Sequence, residues 1–410
     1  MPKAAQPLAR QTLQTSVMFM VFLGAMSALA PLSVDAYLPV LGQLAEHFKV
    51  DLAAVNLTIS AYLIGNALGQ FFGGALSDQL GRKPVGSFAL LIFSAATLAI
   101  ILAPSIYAVQ GLRVLQALGG GALLVVCMAQ VRDLYPVEEV PRRLASVILV
   151  MMVAPMVAPL LGLWLSAWGW QMIFVFLALY GLLCWYIFTF KIPELMLKPR
   201  TGVNFVSLFV NYWGVLKQRQ NGRLSALLYN IFSALTGAVY FVYLTNAALI
   251  FDRIFGLSAL AFCWVFAAGG LSMLLGNFFA AHRMKTTSPM ALMGEGNLLQ
   301  LLATILLFAV AIFEVAEVYS VIVLICLCLF AGGAVRPTAA GVYMTFFDHN
   351  SGAAASIQAT LLFMLGALLG ALSALLSEGT LMPIFAIMLL CSAAARGVFM
   401  AIRRAAVDAS

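Results

Sequence analysis

Runs of about twenty apolar residues recur along nearly the whole chain, and this pattern constrains the fold more than any other feature. A helix of that length crosses the hydrocarbon core of a bilayer. Of the 410 residues, 63% are hydrophobic and 9% are charged, whereas about a quarter of the residues in soluble domains are charged. The pattern therefore predicts an integral membrane protein without a sizeable soluble domain.

The number of runs predicts an all-α integral membrane fold with twelve transmembrane helices. The runs are 15–38, 53–73, 85–103, 106–129, 143–166, 170–190, 224–249, 258–280, 289–312, 318–345, 353–376 and 381–402. The longest polar interruption divides them into six and six. We predict an N-terminal six-helix bundle at 1–190, a cytoplasmic linker at 191–222 and a C-terminal six-helix bundle at 223–410. Apolar residues at steps of three and four predict an amphipathic surface helix at 203–216 of the linker.

The distribution of Lys and Arg between the runs predicts the orientation, because cytoplasmic loops accumulate these residues. With a cytoplasmic N-terminus, only Lys49 and Arg253 fall in outer loops. The inner loops then hold Arg82, Lys83, Arg132, Arg142, Arg143, Arg283, Lys285, Arg403 and Arg404. Both termini are thus expected in the cytoplasm, and this rule together with contact with anionic membrane lipids accounts for the net charge of +7. We expect no nucleic-acid partner.

Asp35 is a carboxyl group within the first run, which is otherwise almost purely apolar from Val17 onward. A charge in a membrane helix costs about 3 kcal/mol on insertion scales, so such residues usually mark transport pathways or proton relays. The alternative is that Asp35 lies close enough to Pro39 to reach interfacial water. We interpret Asp35 as the centre of the mechanism and as a proton-coupling residue.

Arg113 is an equally costly charge in the fourth run, and Gln116 lies one turn further along the same side of the helix. Arg113 and Asp35 both fall in the outer half of the bilayer, close enough in height to interact. We therefore assign Arg113 to proton coupling together with Asp35. The alternative is that Arg113 extends to the outer interface.

The second half of the chain carries polar groups in its first and fourth runs. The seventh run has one stripe at helical spacing, formed by Tyr229, Ser233, Thr236, Tyr240 and Tyr243. Such a stripe also serves ordinary packing, although buried tyrosine hydroxyls need partners. In the tenth run Arg336 precedes Pro337, in the inner half of the bilayer. The candidate substrate-binding residues are Tyr37, Tyr62, Asn66, Arg113, Gln116, Tyr229, Ser233, Tyr240 and Arg336.

The segment after the second run predicts a tight, charged cytoplasmic hairpin between two helices. Its residues from 74 to 84 include Gly74, Asp78, Gly81, Arg82 and Lys83. An ordinary positive loop on the inner side would explain the two cations but neither Gly74 nor Asp78.

The fifth run has two prolines four residues apart, which bend the helix and leave a face of small residues that another helix can approach closely. This face contains Pro155, Ala158, Pro159 and Gly162. Small residues that pack any membrane helix are the alternative interpretation.

Four segments of the chain together resemble the Bcr/CflA drug-resistance transporters of the major facilitator superfamily. They are Pro31–Pro39, Gly74–Pro84, Arg113–Ala117 and Val131–Pro136. The resemblance is closest over the first 170 residues. It departs from the family's motifs at Gln79, where a basic residue is usual, and at Ala117 and Ala158, where glycine is usual.

The resemblance implies two six-helix bundles of the major facilitator fold, with the first, fourth, seventh and tenth spans lining a central cavity. It implies that the hairpin at Gly74–Lys83 is a conformational latch and that Pro155–Gly162 is the antiporter motif of proton-driven exporters. It also implies a multi-pass protein of the bacterial inner membrane. Asp35, Arg113, the tyrosine stripe and Arg336 fall on these four cavity spans, one feature on each span.

We therefore predict a proton-coupled efflux transporter that exports amphipathic compounds by alternating access, with substrate bound between the halves. Two arginines against one acid favour neutral or anionic compounds, such as phenicol-like antibiotics, over lipophilic dications. The expected partners are a small-molecule substrate, protons and membrane lipids, and the expected state is a monomer. We expect no cofactor and no metal, since all six cysteines lie within apolar runs.

Three alternatives remain open. A dedicated exporter of one metabolite or siderophore has the same sequence features, and so does a symporter of the same fold, although the motif at Pro155–Gly162 argues against symport. A membrane-embedded enzyme is disfavoured, because the runs contain no converging nucleophiles, metal ligands or paired carboxylates.

Overall fold

The computed structural model describes residues 16–136, 138–194, 225–347 and 351–407. All regular structure in this part of the chain is helical, which confirms the predicted all-α class. The α-helices are α1 Val17–Asp35, α2 Leu41–Phe48, α3 Leu52–Leu80, α4 Arg82–Ile101, α5 Ile106–Leu134, α6 Val140–Ser166, α7 Gln171–Phe190, α8 Ser225–Ala248, α9 Ala259–Arg283, α10 Pro289–Ile312, α11 Val318–Met344, α12 Ser351–Leu376 and α13 Met382–Val407.

Within the described ranges, 12 helical segments are long and apolar enough to cross a membrane. The first of them, Val17–Phe48, joins α1 to α2 through a short 3-10 helix at Leu38–Val40. It is ten residues longer at its end than the run at 15–38, because the sequence after Pro39 resumes helical structure with its polar side chains at the surface. The seventh segment also continues beyond α8, as a π-helix at Leu249–Ile254.

The predicted hairpin is wrong in its extent. Gly74 and Asp78 belong to the last turns of α3, and the chain leaves helical geometry only at Gly81, which has φ 106°. Only glycine adopts this backbone conformation without strain. Arg82 then begins α4, so a single residue reverses the chain between two long helices.

Contacts between Cα atoms divide the chain into two compact units. Unit 1 consists of Met1–Val40 and Ala61–Leu208, and unit 2 consists of Leu41–Ser60 and Phe209–Ser410. The stretch Leu41–Ser60 thus groups with the second half of the chain. The domain boundaries at 190 and 222 stay a prediction, and the amphipathic helix expected at 203–216 lies outside the described residues.

Each unit has its own apolar core. In unit 1, residues such as Leu23, Leu90 and Phe188 are fully buried together. In unit 2, Phe232 and Met293 form a comparable cluster with neighbouring aliphatic side chains. Lipid is as apolar as these side chains, so close van der Waals packing rather than removal from water holds such helices together.

Three glycines bring α3 into backbone contact with α5 in unit 1. Gly65, Gly69 and Gly73 recur every four residues on one face of α3. A Cβ atom on either of the first two would overlap a backbone carbonyl of α5, and one on Gly73 would overlap Ala122. Small residues at this spacing let membrane helices approach closely. The contact fixes the face of α3 that carries Tyr62 against α5.

Gly162 brings α6 into close backbone contact with the residue that follows α1. A Cβ atom on Gly162 would overlap the carbonyl oxygen of Ala36, the residue that follows Asp35. Ala158 is fully buried one turn earlier, and Pro155 and Pro159 lie within α6. The face of small residues predicted from the sequence therefore packs directly beside Asp35.

Candidate functional site

Arg113 is the centre of a buried polar cluster in unit 1. Its side chain is 0% exposed, and its guanidinium carbon lies 4.4 Å from the ring centre of Tyr37 and 4.5 Å from that of Tyr62. Its Nη1 donates hydrogen bonds to the carbonyl oxygen of Ser33 at 3.1 Å and to Oε1 of Gln116 at 2.8 Å. Four of the predicted residues thus form one cluster, built from α1, α3, α5 and the segment after α1.

The cluster explains how a full positive charge is tolerated at this position. A desolvated cation over an aromatic ring gains about 2 kcal/mol, and Arg113 has two rings. A hydrogen bond to a charged group contributes about 1.5–3 kcal/mol, and Arg113 makes two. Together these contributions exceed the insertion cost of about 3 kcal/mol, and the surplus offsets the cost of the buried Nε and Nη2 groups that make no hydrogen bond. No carboxylate is needed to balance the charge.

Asp35 is the last residue of α1 and is 2% exposed. Among the described residues, no ion pair within 4.0 Å involves Asp35 or Arg113. Arg113 instead donates a hydrogen bond to the backbone carbonyl of Ser33, two residues before Asp35. The structure thus shows a contact of Arg113 with the backbone near Asp35 rather than an ion pair with its carboxyl group. Nε and Nη2 of Arg113 are buried and have no hydrogen-bond partner.

Further hydrogen bonds fix the groups around Arg113. The hydroxyl of Ser33 donates to Tyr62 Oη at 3.0 Å, and Tyr62 Oη donates to the carbonyl of Ala30 at 3.1 Å. These two bonds tie α3 to α1. Asn66 lies one turn beyond Tyr62 and accepts a hydrogen bond of 2.5 Å from Gln70. Asn66 is thus bonded along its own helix.

The predicted residues of the second half lie within unit 2, and all of them except Ser233 are half-buried. Arg336 is half-buried on α11, close to the backbone of Gly237 and in electrostatic contact with Tyr240. Among the described residues no acid forms an ion pair with Arg336. Tyr229 packs its ring 5.6 Å from that of Phe346, and Ser233 is buried.

The end of α3 and the start of α4 carry a charged network. Arg82 pairs with Asp78 at 2.5 Å and with Asp133 of α5 at 2.9 Å. Its Nη1 also donates to the hydroxyl of Ser77 at 2.7 Å. Arg82 is nearly buried, whereas the side chain of Asp78 is 61% exposed. Arg82 therefore ties the reversal of the chain to α5, and Asp78 keeps an accessible oxygen.

The N-terminus of α4 has a further partner that the sequence did not single out as a site residue. The backbone N–H of Lys83 donates to Oε2 of Glu194 at 3.1 Å. A Cβ atom on Gly81 would overlap the same carboxylate, so glycine is required there for space as well as for conformation. A carboxylate at a helix N-terminus is favourably placed.

Two other features had no signal in the sequence. Thr97 of α4 bonds to Gln116, although it lies on an otherwise apolar helix. A cavity of about 1000 Å³ in unit 2 has a mixed lining, in which acids such as Glu46 and Asp252 occur together with Lys49, Arg253 and apolar residues. Across the described ranges, no group of three or more His, Cys, Asp or Glu side chains could hold a metal ion.

Comparisons with known proteins agree with this architecture. The sequence profile of the Major Facilitator Superfamily matches residues 21–371. The bicyclomycin resistance protein homolog of Haemophilus influenzae is 24% identical over 380 residues, which cover 92% of this chain and 94% of that protein. The chloramphenicol resistance protein of Pseudomonas aeruginosa is 29% identical over 361 residues, with coverages of 85% and 81%.

Among solved structures, that of a D-xylose-proton symporter superposes with a TM-score of 0.71 at 14% sequence identity, over 93% of this chain and 97% of that one. At this identity the likeness shows the fold alone. Because the profile covers most of the chain and the fold agrees with it, this protein belongs to the Major Facilitator Superfamily of membrane transporters.

Proposed function

We propose that this transporter exports drug-like amphipathic compounds from the cytoplasm in exchange for protons. The observation that carries the proposal is Asp35, a carboxyl group that is almost fully buried and has no ion pair among the described residues. A buried carboxyl group changes its proton affinity when its hydration or a nearby charge changes. A conformational change at the end of α1 would therefore load or release a proton.

The relatives support export rather than uptake. Two proteins that match most of this chain are named for resistance to bicyclomycin and to chloramphenicol. Resistance of this kind in a membrane transporter follows from removal of the compound from the cell. We therefore take chloramphenicol, a neutral compound, as the first substrate to test.

Coupling requires only that substrate and proton favour different states of the transporter. A ligand shifts a conformational equilibrium by its differential affinity for the two states. If substrate binds the deprotonated, inward-open form better, proton entry on the outside returns the carrier for the next cycle. In this scheme Gly162 transmits movement of α6 to Asp35, because it holds α6 against the carbonyl of Ala36.

Charge at the candidate site favours neutral or anionic substrates. Arg113 keeps its charge through two rings and neutral dipoles, and Arg336 has no acidic partner among the described residues. Each of these cations would repel a lipophilic dication that approaches it. We propose that Tyr37, Tyr62 and Gln116 contact substrate in unit 1. Tyr229, Ser233 and Tyr240 would do so in unit 2.

We place the protein in the bacterial inner membrane with both termini in the cytoplasm. This orientation follows from the position of most Lys and Arg residues between the helices. It puts the network of Asp78, Arg82 and Asp133 on the cytoplasmic side.

A proton-exchange measurement tests the proposal directly. Respiring everted vesicles that contain the transporter hold an acidic interior, and a pH-sensitive dye reports that acidity. Addition of chloramphenicol is expected to release protons from these vesicles and not from vesicles that lack the protein. A lipophilic dication such as methyl viologen is expected to release none. Accumulation of chloramphenicol that is insensitive to collapse of the pH gradient would contradict proton coupling.

Asp78 is expected to control conformation rather than substrate binding. Asp78→Asn should abolish export but leave affinity for chloramphenicol in detergent within about three-fold, a change of less than 1 kcal/mol. The protein should remain folded, because exposed ion pairs contribute about 0–1 kcal/mol and Arg82 retains Asp133.

The matched control is Glu139→Gln. Glu139 forms an exposed ion pair with Arg143 at the same four-residue helical spacing, at 2.9 Å, but lies outside the motif. This variant should export normally. If Asp78→Asn lost binding in step with export, the residue would belong to the binding site and the latch would be refuted.

A further inference from the structure

Thr97 connects the Arg113 cluster to α4. It is fully buried on α4, and its hydroxyl accepts a hydrogen bond of 2.8 Å from Nε2 of Gln116. The same hydroxyl donates a hydrogen bond of 2.5 Å to the carbonyl of Phe93, one turn earlier in α4. Three hydrogen bonds thus run in sequence from Arg113 through Gln116 and Thr97 to the backbone of α4.

The direction of these bonds is determined by chemistry. A threonine hydroxyl has one hydrogen, and here the carbonyl of Phe93 accepts it. Thr97 can therefore only accept from Gln116, which requires the NH₂ group of the amide to face α4. The carbonyl oxygen of Gln116 then faces Arg113, which has only donors to offer.

Loss of the acceptor at Thr97 would remove this constraint. Gln116 is fully buried, and a buried donor without a partner is destabilising. The side-chain amide of Gln116 would then be free to rotate toward other acceptors. Rotation brings its NH₂ group against the guanidinium, so Arg113 would lose one of its two hydrogen bonds and its fixed position over the rings.

We propose that Thr97 is a positioning residue for transport, which holds Arg113 in place through the orientation of the Gln116 amide. This inference rests on the proposed function only in giving Arg113 a role in export. The contact itself lies wholly within unit 1 and involves no substrate.

Thr97→Val tests this relay, by which we mean the hydrogen bonds from Arg113 through Gln116 to Thr97, because valine has the shape of threonine without the hydroxyl. It is expected to lower the initial rate of chloramphenicol export about ten-fold, the effect of losing one buried hydrogen bond. Thr97→Ser restores the hydroxyl and should keep the rate within about two-fold. Ser94→Ala is the matched control, since Ser94 is buried one turn earlier on α4 and has no hydrogen-bond partner.

A double-mutant cycle with Gln116→Ala separates positioning from simple packing. Once the amide is absent, Thr97→Val should cause no further loss in export rate or in melting temperature. Equal losses from Thr97→Val with and without Gln116 would overturn the proposal, and so would a Thr97→Val variant that behaves like Ser94→Ala.

The cycle also remains decisive if the proposed function fails. If the unmodified protein shows no proton-coupled export, the melting temperatures in detergent still test, without any substrate, whether Thr97 acts through the Gln116 amide. Non-additive changes would support the relay, and additive changes would refute it.

Discussion

Replacement of Asp35 by asparagine is expected to reduce pH-gradient-driven export to the level of vesicles without the transporter. Asparagine has the shape of the protonated acid but cannot release a proton. Because Asp35 is buried and forms no ion pair with another described residue, the change leaves no cation without a partner. The variant should therefore fold and keep its melting temperature.

The measurement combines export with binding. Everted vesicles with an imposed pH gradient report export of chloramphenicol, and the purified protein in detergent reports its affinity. Affinity should stay within about three-fold of the unmodified protein. Glu295→Gln is the matched control, because Glu295 is an exposed acid that pairs with Arg283 at 3.2 Å. It should export normally.

One result would remove Asp35 from the mechanism. If Asp35→Asn still concentrates chloramphenicol against its gradient when a pH gradient is imposed, another group carries the proton. A loss of export that is accompanied by a large fall in melting temperature would instead assign Asp35 a structural role.

Asp35 and Arg113 were predictable because a charge within an apolar run is costly and therefore conspicuous. No structure is needed to see that each requires a partner or a function. The twelve helices were predictable for a related reason, since every apolar run must satisfy its backbone groups internally. These predictions depend on one segment at a time.

The partners of Arg113 were not predictable from such signals. Tyr37 and Tyr62 lie in different segments, and only the packed helices show that both rings contact one guanidinium. The sequence favoured an interaction with Asp35, because the two charges have similar depth. The structure shows instead that rings and neutral acceptors stabilise Arg113, which needs no acid.

Glycine spacing illustrates the same limit. The four-residue repeat of Gly65, Gly69 and Gly73 is visible in the sequence, but nothing in it identifies α5 as the helix that packs there. The sequence predicts a longer hairpin than the single-residue reversal at Gly81, because the polar residues around Gly81 are typical of a loop. In the structure those residues satisfy one another at the ends of two continuous helices.

Arg113→Lys is expected to slow export of chloramphenicol by about a hundred-fold, even though the charge is kept. The guanidinium lies over two rings while Nη1 bonds to both Ser33 and Gln116. Lysine is a compact and strongly hydrated charge without a planar fork, so it cannot reproduce this arrangement. Loss of charged hydrogen bonds worth about 3 kcal/mol corresponds to that change in rate.

The control for this substitution is Arg396→Lys in unit 2. Arg396 donates one hydrogen bond to the carbonyl of Gly294 at 2.9 Å and lies 5.3 Å from the ring centre of Phe399. A lysine can make that single contact, so export should remain within about two-fold. If Arg113→Lys also exported at a normal rate, charge alone would suffice at this position. The planar arrangement over Tyr37 and Tyr62 would then be a means of burying a cation rather than a requirement of transport.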